Sequence, residues 1–251
     1  MNIHFIFLAA GYSKRFGGNK LLSMYNGMPM YRVLLDKLVS IMESDPTVAD
    51  ITVVTQYPEI ERDVEKINLG TAKPVRCVFN LDPSQGISSS IQCGINNMLM
   101  YNPEITFDNE AQFIEYGLPF HQSAEEIECT KEYKPEINTP AQSKQREKTN
   151  ASADHLSEDF LCLFVADTPN LTEQTVTSFI HAFAASGKRL GCIGREGEMG
   201  NPGIFGAEFI SELMELRGDR GGKRVLCAHR DEVFIFSDTK PEELEDIDFK
   251  C

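Results

Sequence analysis

A glycine-containing segment near the start of the chain carries residues suited to binding phosphate. It reads LAAGYSKRFGGNKLL over residues 8–22 and continues an apolar run from Ile3 to Leu8. The small residues up to Gly11 let a ligand approach the backbone closely, and the N–H groups of such a turn attract anions. Arg15 and Lys20 add positive charge for a polyphosphate. The glycine spacing matches neither GxGxxG nor GxxxxGK[ST], so neither a dinucleotide-binding motif nor a P-loop is predicted.

A single carboxylate, Asp167, follows a second apolar run, LCLFVA at residues 161–166. Open α/β sheets bind ligands at the carboxyl ends of their strands, so this side chain is predicted to face a ligand. Mg²⁺ is usually held by one or two carboxylates together with substrate phosphates. Asp167 lies too far from the next helix to cap it, and Thr172 is placed to do so. We therefore predict that Asp167 is a metal ligand.

Two further segments combine glycine with hydroxyl or charged side chains. Gly86 precedes the serines at 88–90 where a helix is predicted to begin. These serines either bind a base, ribose or phosphate through hydroxyl and free N–H groups, or simply cap the helix. Asn80 either reads a base edge or makes a turn. Residues 218–222, GDRGG, either contact a substrate or form a turn between two helices.

Apolar periodicity predicts the elements that position these residues. Strands and helices alternate, which indicates an α/β fold with a doubly wound, mostly parallel sheet. The predicted strands are Ile3 to Leu8, Ile51 to Thr55, Val75 to Phe79, Phe160 to Ala166 and Leu190 to Ile193. The predicted helices are Pro29 to Met42, Glu59 to Ile67, Gly86 to Met100 and Thr172 to Ala185.

A polar segment over residues 102–158 interrupts this alternation. It holds twelve acidic and five basic residues and ends in a stretch rich in disorder-promoting residue types. We predict one domain, formed by residues 1–101 and 159–251, with 102–158 as a partly disordered acidic insertion. An exposed, tolerated insertion is the simpler interpretation, and a partner-binding arm is the alternative.

The charge distribution excludes one class of function. The net charge is −14, so a nucleic-acid-binding protein that uses a general basic surface is ruled out. The insertion contributes −7 of that charge, whereas the first 35 residues contain no acidic residue. An anionic ligand is therefore expected to bind near the amino-terminal glycine segment.

The seven cysteines are scattered and show neither CxxC nor zinc-ligand spacing. A reduced, cytoplasmic setting is predicted from this. The amino-terminal apolar run is short, and basic residues follow it rather than precede it. No apolar run approaches 18 residues, so neither a signal peptide nor a membrane span is predicted.

The amino-terminal segment, LAAGxSxRFGxxKLL, resembles the signature of nucleotidyltransferases that complete molybdenum cofactor. NLDPSQGISSSIQCGI at 80–95 is similar to the Asn, Gly and Ser-Ser segment of this family. FVADTPNLT at 164–172 is similar to its metal-binding Asp with the following Pro. GNPGIFG and ELRGDRGGKRVL, within 200–226, are similar to its acceptor-side region. The four segments come in the family's order, so the chain resembles the molybdenum cofactor cytidylyltransferases, a MobA-like group.

The resemblance implies a Rossmann-like nucleotidyltransferase fold that transfers CMP from CTP to molybdopterin and releases pyrophosphate. It implies Mg²⁺ as cofactor and a molybdenum hydroxylase as recipient of the product. Within the family, Leu-Ala-Ala-Gly is similar to the cytosine version and Leu-Ala-Gly-Gly to the guanine version, so Ala10 favours CTP. No nucleic acid and no membrane partner is expected.

The resemblance also assigns roles to individual residues. Lys20, Arg15 and Asp167 are implied to be catalytic. The implied nucleotide-binding residues are Leu8, Ala9, Ala10, Gly11, Ser13, Arg15, Lys20, Asn80, Gly86, Ser88 and Ser89. The implied acceptor-side residues are Asn201, Pro202, Gly218 and Asp219.

One segment departs from the family pattern near the carboxyl terminus. The family carries a DxDTPEDL-like segment, whereas FSDTKPEELEDID has Ser237 and Thr239 at the two early Asp positions. Asp238 fits the metal-ligand role only after a one-residue shift. A second metal ligand is therefore open.

Two other functions stay open on the sequence. The chain could be a related nucleotidyltransferase that uses GTP or a sugar-phosphate acceptor. It could also be a non-catalytic accessory protein that binds nucleotide or cofactor for a molybdenum hydroxylase.

Overall fold

The computed structural model describes most of the chain, and every described residue belongs to one compact unit, 1–108 with 157–251. Ser13 and Arg15 lie outside the described residues. So does the predicted insertion, apart from its two ends. The described residues are 1–12, 19–105, 157–195, 197–245 and 247.

All the strands and helices predicted from periodicity are present, with bounds that differ by at most three residues. The strands are β1 (Asn2–Ala9), β2 (Met24–Tyr25), β3 (Met28–Pro29), β4 (Val48–Thr55), β5 (Val75–Phe79), β6 (Asp159–Val165), β7 (Leu190–Arg195), β8 (Glu198–Gly206) and β9 (Val233–Phe236). The helices are α1 (Met30–Ser44), α2 (Pro58–Asn68), α3 (Ile87–Tyr101), α4 (Glu173–Ser186), α5 (Ile210–Met214) and α6 (Lys223–Ala228).

The described strands form a seven-stranded sheet in the order β5-β4-β1-β6-β8-β7-β9, beside a two-stranded β2–β3 ribbon. Strand β1 lies between β4 and β6 and is parallel to both. Strand β8 is antiparallel to its neighbours β6 and β7, and the other pairs in this sheet are parallel. The prediction of a mostly parallel sheet is confirmed, and β8 is the exception within it.

Helices cover both faces of the sheet, as the doubly wound prediction requires. Successive residues of β1 alternate between two buried clusters: Phe5 and Phe7 belong to one, Ile6 and Leu8 to the other. Helices α1, α2 and α4 contribute to the first cluster, and α3, α5 and α6 to the second. A strand buried on both sides reads as a continuous apolar run, which is why β1 is so apolar.

Local signals set the ends of α4. The hydroxyl of Thr172 accepts a hydrogen bond from the N–H of Thr175 at 3.2 Å, so Thr172 is the N-cap as predicted. Gly187 follows the last turn with φ of 65°, the left-handed conformation that commonly ends a helix. Asp167 is therefore not needed as a cap.

A buried polar cluster lies where the parallel strands begin, at the opposite edge from their carboxyl ends. His4 Nδ1 lies 3.0 Å from Asp50 Oδ1, and His4 Nε2 lies 3.6 Å from Asp159 Oδ1. Burial by itself would lower the pKa of His4, but the hydrogen bond and charge of Asp50, together with Asp159, raise it overall. Arg76 Nη1 and Asn102 Nδ2 both donate to Asp50 Oδ2, at 2.8 and 3.1 Å. The Asp50 carboxylate therefore contacts His4 through one oxygen and accepts two hydrogen bonds through the other.

The described ends of the predicted insertion pack on this unit. Asn102 contacts Asp50 as above, and the side chain of Ile105 is buried in the second cluster. The carbonyl of Ser157 accepts a hydrogen bond from Arg189 at 2.8 Å. These contacts fix the chain where it leaves the sheet and where it returns.

Two further sequence predictions, on membrane spans and on cysteines, can be compared with the described residues. No helix among them combines the length and apolar character needed to cross a bilayer. The five cysteines in this part of the chain are free thiols, namely Cys77, Cys93, Cys162, Cys192 and Cys227.

Candidate active site

The predicted site segments leave the sheet side by side, because the strands that carry them are neighbours. Leu8 pairs with Val54 on β4 and with Val165 on β6. The N–H of Ala166 also donates to Leu8 O at 3.1 Å. The side chains of Leu8 and Ala9 are buried, so only their backbone is available to a ligand. The glycine segment and Asp167 thus begin at the same point of the carboxyl edge.

Lys20 and Asp167 meet at this edge. Lys20 Nζ donates to Asp167 Oδ2 at 3.1 Å, although the two residues are 147 positions apart. The lysine side chain is only 9% exposed, whereas the Asp167 side chain is 34% exposed. A nearly buried ammonium therefore lies against a carboxylate that is still open to a ligand from solvent.

A small turn holds Lys20 in place. Asn19 Oδ1 accepts hydrogen bonds from the N–H groups of Leu21 and Leu22, at 3.1 and 3.4 Å. Leu21 is buried in the first cluster, and its carbonyl accepts from the N–H of Tyr31 at 3.2 Å. The lysine is therefore fixed by an anchored backbone and not only by its ion pair.

A second lysine holds the loop that follows Asp167. Lys37 Nζ, on α1, donates to the carbonyls of Pro169 and Leu171, at 2.8 Å in each case. Burial lowers the pKa of Lys37, while the charges of nearby glutamates act against this shift. Sequence reasoning missed Lys37, because a lysine within an amphipathic helix is normally solvated. Its position makes it a support for the Asp167 loop.

Side chains at the end of β4 hold the carbonyl groups of the glycine segment. Three consecutive residues each donate to one of three consecutive carbonyls, so the backbone from Ala9 to Gly11 is fixed along its length. The three hydrogen bonds are Thr55 Oγ1 to Ala9 O at 3.1 Å, Gln56 Nε2 to Ala10 O at 2.7 Å and Tyr57 Oη to Gly11 O at 2.9 Å. Sequence reasoning did not single out any of the three donors.

Asn80 links its loop to the start of α3. It is 6% exposed, and its Nδ2 donates to Ser89 Oγ and Ser90 Oγ at 2.9 and 3.0 Å. Its Oδ1 accepts from the N–H of Asp82 at 3.0 Å. Both amide hydrogens are therefore used within the described residues, and the bond from Asp82 is the turn that the sequence offered as one alternative.

The start of α3 lies against the turn at residues 218–219. The N–H of Ser88 donates to Gly218 O at 3.1 Å. Gly86 has φ of 87°, and a Cβ added there would lie 2.5 Å from Gly218 C and from Asp219 Oδ1. Only glycine allows this approach. Residues predicted separately for the nucleotide and for the acceptor are thus adjacent.

Asn201 and Pro202 lie at the same edge of the sheet. Gly203 of β8 pairs with Leu163 of β6, and the two strands are antiparallel. Residues before Gly203 on β8 therefore lie towards the carboxyl end of β6 and hence towards Asp167. Asn201 is exposed there, whereas Pro202 is buried.

A cationic cavity of about 390 Å³ lies between α5 and α6 and includes the end of the 218–222 turn. Its walls carry three arginines against the carboxylates of Glu212 and Glu215. Glu212 is already bonded to His229 Nε2 at 2.8 Å. Arg220 and Arg224 make no ion pair within the described part of the chain. The three arginines are Arg217, Arg220 and Arg224.

Asp167, the residue predicted to bind a metal, has one carboxylate oxygen available to a cation. Asp167 Oδ1 accepts no hydrogen bond from the described residues, so it is free to coordinate a cation. Asp238 is exposed in the turn after β9. Further along the chain, the N–H of Ile247 donates to Asp167 O at 3.1 Å. No group of three or more metal-binding side chains occurs among the residues described. Mg²⁺ that shares its shell with phosphates needs only one or two carboxylates, so this site fits it.

The mostly parallel sheet with helices on both faces is a Rossmann-like nucleotidyltransferase fold, as the similarity to solved structures indicates. The MobA-like NTP transferase domain model matches residues 5–233. The chain therefore belongs to the MobA-like NTP transferase family, as the sequence resemblance indicated. A comparison with curated protein sequences gives no match.

Solved structures agree with this fold. Rv0371c from Mycobacterium tuberculosis H37Rv has a TM-score of 0.56 at 15% identity, over 99% of this chain and 94% of that one. The 4-diphosphocytidyl-2C-methyl-D-erythritol synthase from Anaerococcus prevotii has a TM-score of 0.54 at 10% identity, over 98% and 92%. Molybdopterin-guanine dinucleotide biosynthesis protein A from Archaeoglobus fulgidus has 0.51 at 11%, over 98% and 92%. At these identities the similarity concerns the fold alone.

Proposed function

We propose that this chain transfers CMP from CTP to the phosphate of molybdopterin and releases pyrophosphate. The observation that carries the proposal is the Lys20–Asp167 pair, 3.1 Å apart beside the glycine segment in a member of an NTP transferase family. The choice of CTP rests on Ala10 and its similarity to the cytosine version of the motif. The choice of acceptor rests on the same resemblance, and one structure of similar fold is named for molybdopterin-guanine dinucleotide biosynthesis.

The proposed reaction is an in-line displacement at phosphorus. An oxygen of the molybdopterin phosphate attacks the α-phosphorus of CTP, and the bond from that phosphorus to the bridging oxygen breaks as pyrophosphate leaves. Both reactants are anions, so the protein has to bring them together and offset their repulsion. Lys20 supplies a positive charge in a nearly buried position, where it is little screened by water. Arg15 is proposed to contact the same triphosphate.

The remaining predicted residues divide between the two substrates in this proposal. The backbone of residues 8–11 and the start of α3 bind the nucleotide, and Ser13 belongs to the same group. Asn201, Pro202, Gly218 and Asp219 bind the acceptor, whose anionic end lies near Arg220 and Arg224. The adjacency of Ser88 and Gly218 supports a shared crevice for both substrates.

Mg²⁺ is proposed as the cofactor, with Asp167 as its protein ligand and the substrate phosphates completing its shell. Bound there, the ion neutralises negative charge on the phosphates. Lys20 keeps the carboxylate oriented through its hydrogen bond to Oδ2, which leaves Oδ1 for the metal. Asp238 is not required by this assignment.

The direct test is to identify the product. The purified protein is incubated with Mg²⁺, molybdopterin and CTP, GTP or UTP, and the dinucleotide is identified by mass; a sugar phosphate replaces molybdopterin in a parallel reaction. We expect the cytosine dinucleotide and pyrophosphate in equal amounts. A guanine product or a sugar-nucleotide product identifies one of the related transferases, and nucleotide binding without any product identifies an accessory protein.

The role of Asp167 is tested by Asp167→Asn, which keeps the size of the side chain but removes its charge. We expect turnover to fall by about a hundredfold or more, because charge stabilisation by one group at a reaction centre is of that order. The matched control is Asp36→Asn, which removes a carboxylate paired with Arg32 at 2.8 Å on the surface of α1. Full activity of Asp167→Asn at saturating Mg²⁺ contradicts the metal assignment.

A further inference from the structure

The three side-chain hydrogen bonds from the end of β4 restrict what the glycine segment can offer to a ligand. In a trans peptide the C=O of one residue and the N–H of the next point in opposite directions. Each carbonyl from Ala9 to Gly11 faces the side chain of Thr55, Gln56 or Tyr57 that donates to it. The N–H group of the following residue therefore points away from that donor.

These N–H groups are available to a ligand. In the residues that the structure describes, the N–H of Ala10 and the N–H of Gly11 donate to no acceptor. Ala10 is nevertheless 2% exposed, so water alone has little access to it. A backbone N–H that is withdrawn from water and has no partner is costly, and a ligand acceptor would satisfy it. The segment is therefore arranged to recognise acceptor atoms.

This arrangement distinguishes between nucleobases. The pairing edge of cytosine presents two neighbouring acceptors, N3 and O2, beside one donor, N4–H₂. Guanine presents N1–H and N2–H₂ beside the acceptor O6, and uracil presents N3–H between O2 and O4. Two adjacent N–H groups match N3 and O2 of cytosine, whereas any two adjacent groups of guanine or uracil include a donor that would be left unpaired. An unpaired buried donor costs more than a hydrogen bond gains, so the mismatch produces selectivity.

We propose that Gln56 is a specificity-determining residue, because it holds the Ala10 carbonyl away from the base and so makes the segment select a base edge of acceptors. This inference rests on the proposed function, in which residues 8–11 contact the nucleotide. Gln56 acts through the backbone of Ala10 and is therefore a positioning residue. Its hydrogen bond to Ala10 O, at 2.7 Å, is the shortest of the three.

Gln56 is also the donor that can be changed most cleanly. Thr55 is fully buried at the end of β4, so changing it alters the core. Tyr57 packs against the first buried cluster as well as donating to Gly11 O. Gln56 is only partly buried, and its amide makes no other described hydrogen bond.

The test measures binding of CTP and GTP separately, by calorimetry with Mg²⁺ and without an acceptor. In Gln56→Ala the peptide between Ala10 and Gly11 is no longer held, so it can rotate and turn the Ala10 carbonyl towards a donor of guanine. We expect the ratio of CTP to GTP affinity to fall by about threefold to tenfold, the range that corresponds to one hydrogen bond. Gln56→Glu should do the same, because an ionised carboxylate cannot donate to a carbonyl.

The matched control is Gln92→Ala. Gln92 Nε2 also donates to backbone carbonyls, those of Met214 and Leu216 at 2.8 and 2.9 Å, but away from the glycine segment. Loss of stability alone should lower both affinities together in either variant, whereas the change in ratio should be confined to Gln56. A ratio that stays at the wild-type value in both Gln56 variants overturns the inference.

Failure of this inference is separable from failure of the proposed function. If the wild-type protein prefers CTP and the Gln56 variants keep that preference, only the role of Gln56 is wrong. If the wild-type protein prefers GTP or binds neither nucleotide, the proposed function is wrong and with it the basis for assigning Gln56. Both results come from the same titrations.

Discussion

Replacing Gly86 by alanine tests the close contact between the start of α3 and the turn at 218–219. The new Cβ would lie 2.5 Å from Gly218 C, 2.6 Å from Gly218 O and 2.5 Å from Asp219 Oδ1. Two of these atoms belong to backbone, which cannot rotate out of the way. The Asp219 side chain can move, but the Gly218 peptide has to shift as a unit. Its hydrogen bond from the N–H of Ser88, 3.1 Å long, would be stretched or lost.

Two costs add in this variant. Gly86 has φ of 87° and ψ of −173°, a region that is open to glycine and costs other residues about 1–3 kcal/mol. Insertion of a methyl group into a packed contact costs a further 1–3 kcal/mol or so. We expect the free energy of unfolding to fall by about 2–5 kcal/mol, and CTP affinity to fall with it because Ser88 moves.

Urea unfolding followed by far-ultraviolet circular dichroism measures the first effect, since the chain contains no tryptophan for fluorescence. The control is Gly187→Ala, at φ of 65°, where an added Cβ meets no described atom within 4 Å. In this variant only the positive φ should lower the free energy of unfolding, by about 1 kcal/mol. The difference between the two variants reports the contact with Gly218 together with the less favourable φ and ψ of Gly86. Calorimetric titration with CTP measures the second effect.

The reasoning is refuted if Gly86→Ala is no less stable than Gly187→Ala and binds CTP as the wild type does. That result means that the turn at 218–219 moves freely and is not held against α3. A double variant, Gly86→Ala with Asp219→Ala, locates the cost: it should recover little stability, because the Gly218 backbone contact remains. Full recovery would assign the cost to the Asp219 side chain instead.

Three other predictions follow from the structure. An added Cβ at Gly11 meets no described atom within 4 Å, so Gly11→Ala should change the free energy of unfolding by less than about 0.5 kcal/mol in urea unfolding. In steady-state kinetics it should raise the KM for CTP at least tenfold or so, and an unchanged KM contradicts nucleotide contact there. Arg220→Ala should raise the KM for the acceptor and leave that for CTP unchanged in steady-state kinetics, and the reverse result contradicts an acceptor role. The raised pKa of His4 means that its charged form stabilises the fold below its ordinary pKa of about 6.5 and that this contribution is lost as pH rises through the folded pKa. Unfolding free energy should thus decline from pH 6 to 9 in the wild type and stay nearly level in His4→Gln.

The elements with strong periodicity were predictable because burial on one or two faces dictates their pattern. Strand β1 is apolar at nearly every position, and it is indeed covered on both faces. Thr172 was identified as a cap from its type and position alone, and its hydrogen bond to Thr175 confirms this. In each case the signal and the structure that it produces lie within the same few residues.

Strand β8 was not predicted, for a reason visible in its glycines. Its sequence, EMGNPGIFG, contains three glycines and a proline, which favour turns when read locally. A Cβ at Gly200 would lie 2.9 Å from Ile193 O, and one at Gly203 would lie 3.1 Å from the Phe205 ring. The glycines therefore serve close packing with β7 and with the strand's own aromatic side chain. That requirement comes from the hairpin of β7 and β8 and from side-chain packing, which the residue types alone do not show.

The residue types of the site could be predicted from the sequence, but the contacts between them could not. Lys20 and Asp167 were each identified from local sequence, yet their hydrogen bond depends on β1 and β6 being neighbours. Gln56 carries no sequence signal of this kind, because a glutamine after a strand is ordinary and its importance comes from the carbonyl that it reaches. Asn80 shows the opposite case, since a residue that could read a base donates both amide hydrogens to serines of α3 and accepts from the N–H of Asp82.

The Lys20–Asp167 pair makes more sense as part of a ligand site than as a stabilising ion pair. Lys20 is nearly buried, and withdrawing an ammonium from water costs several kcal/mol, so a buried ion pair is by itself weak evidence for a stabilising role. Apolar residues at both positions would be the cheaper solution for stability alone. A triphosphate in the proposed position adds negative charge beside Lys20, and the Asp167 oxygen that is not bonded to the lysine is then shared with a cation. Nucleotide and metal then offset each other's charge beside this pair, so CTP should raise the melting temperature far more with Mg²⁺ than without it.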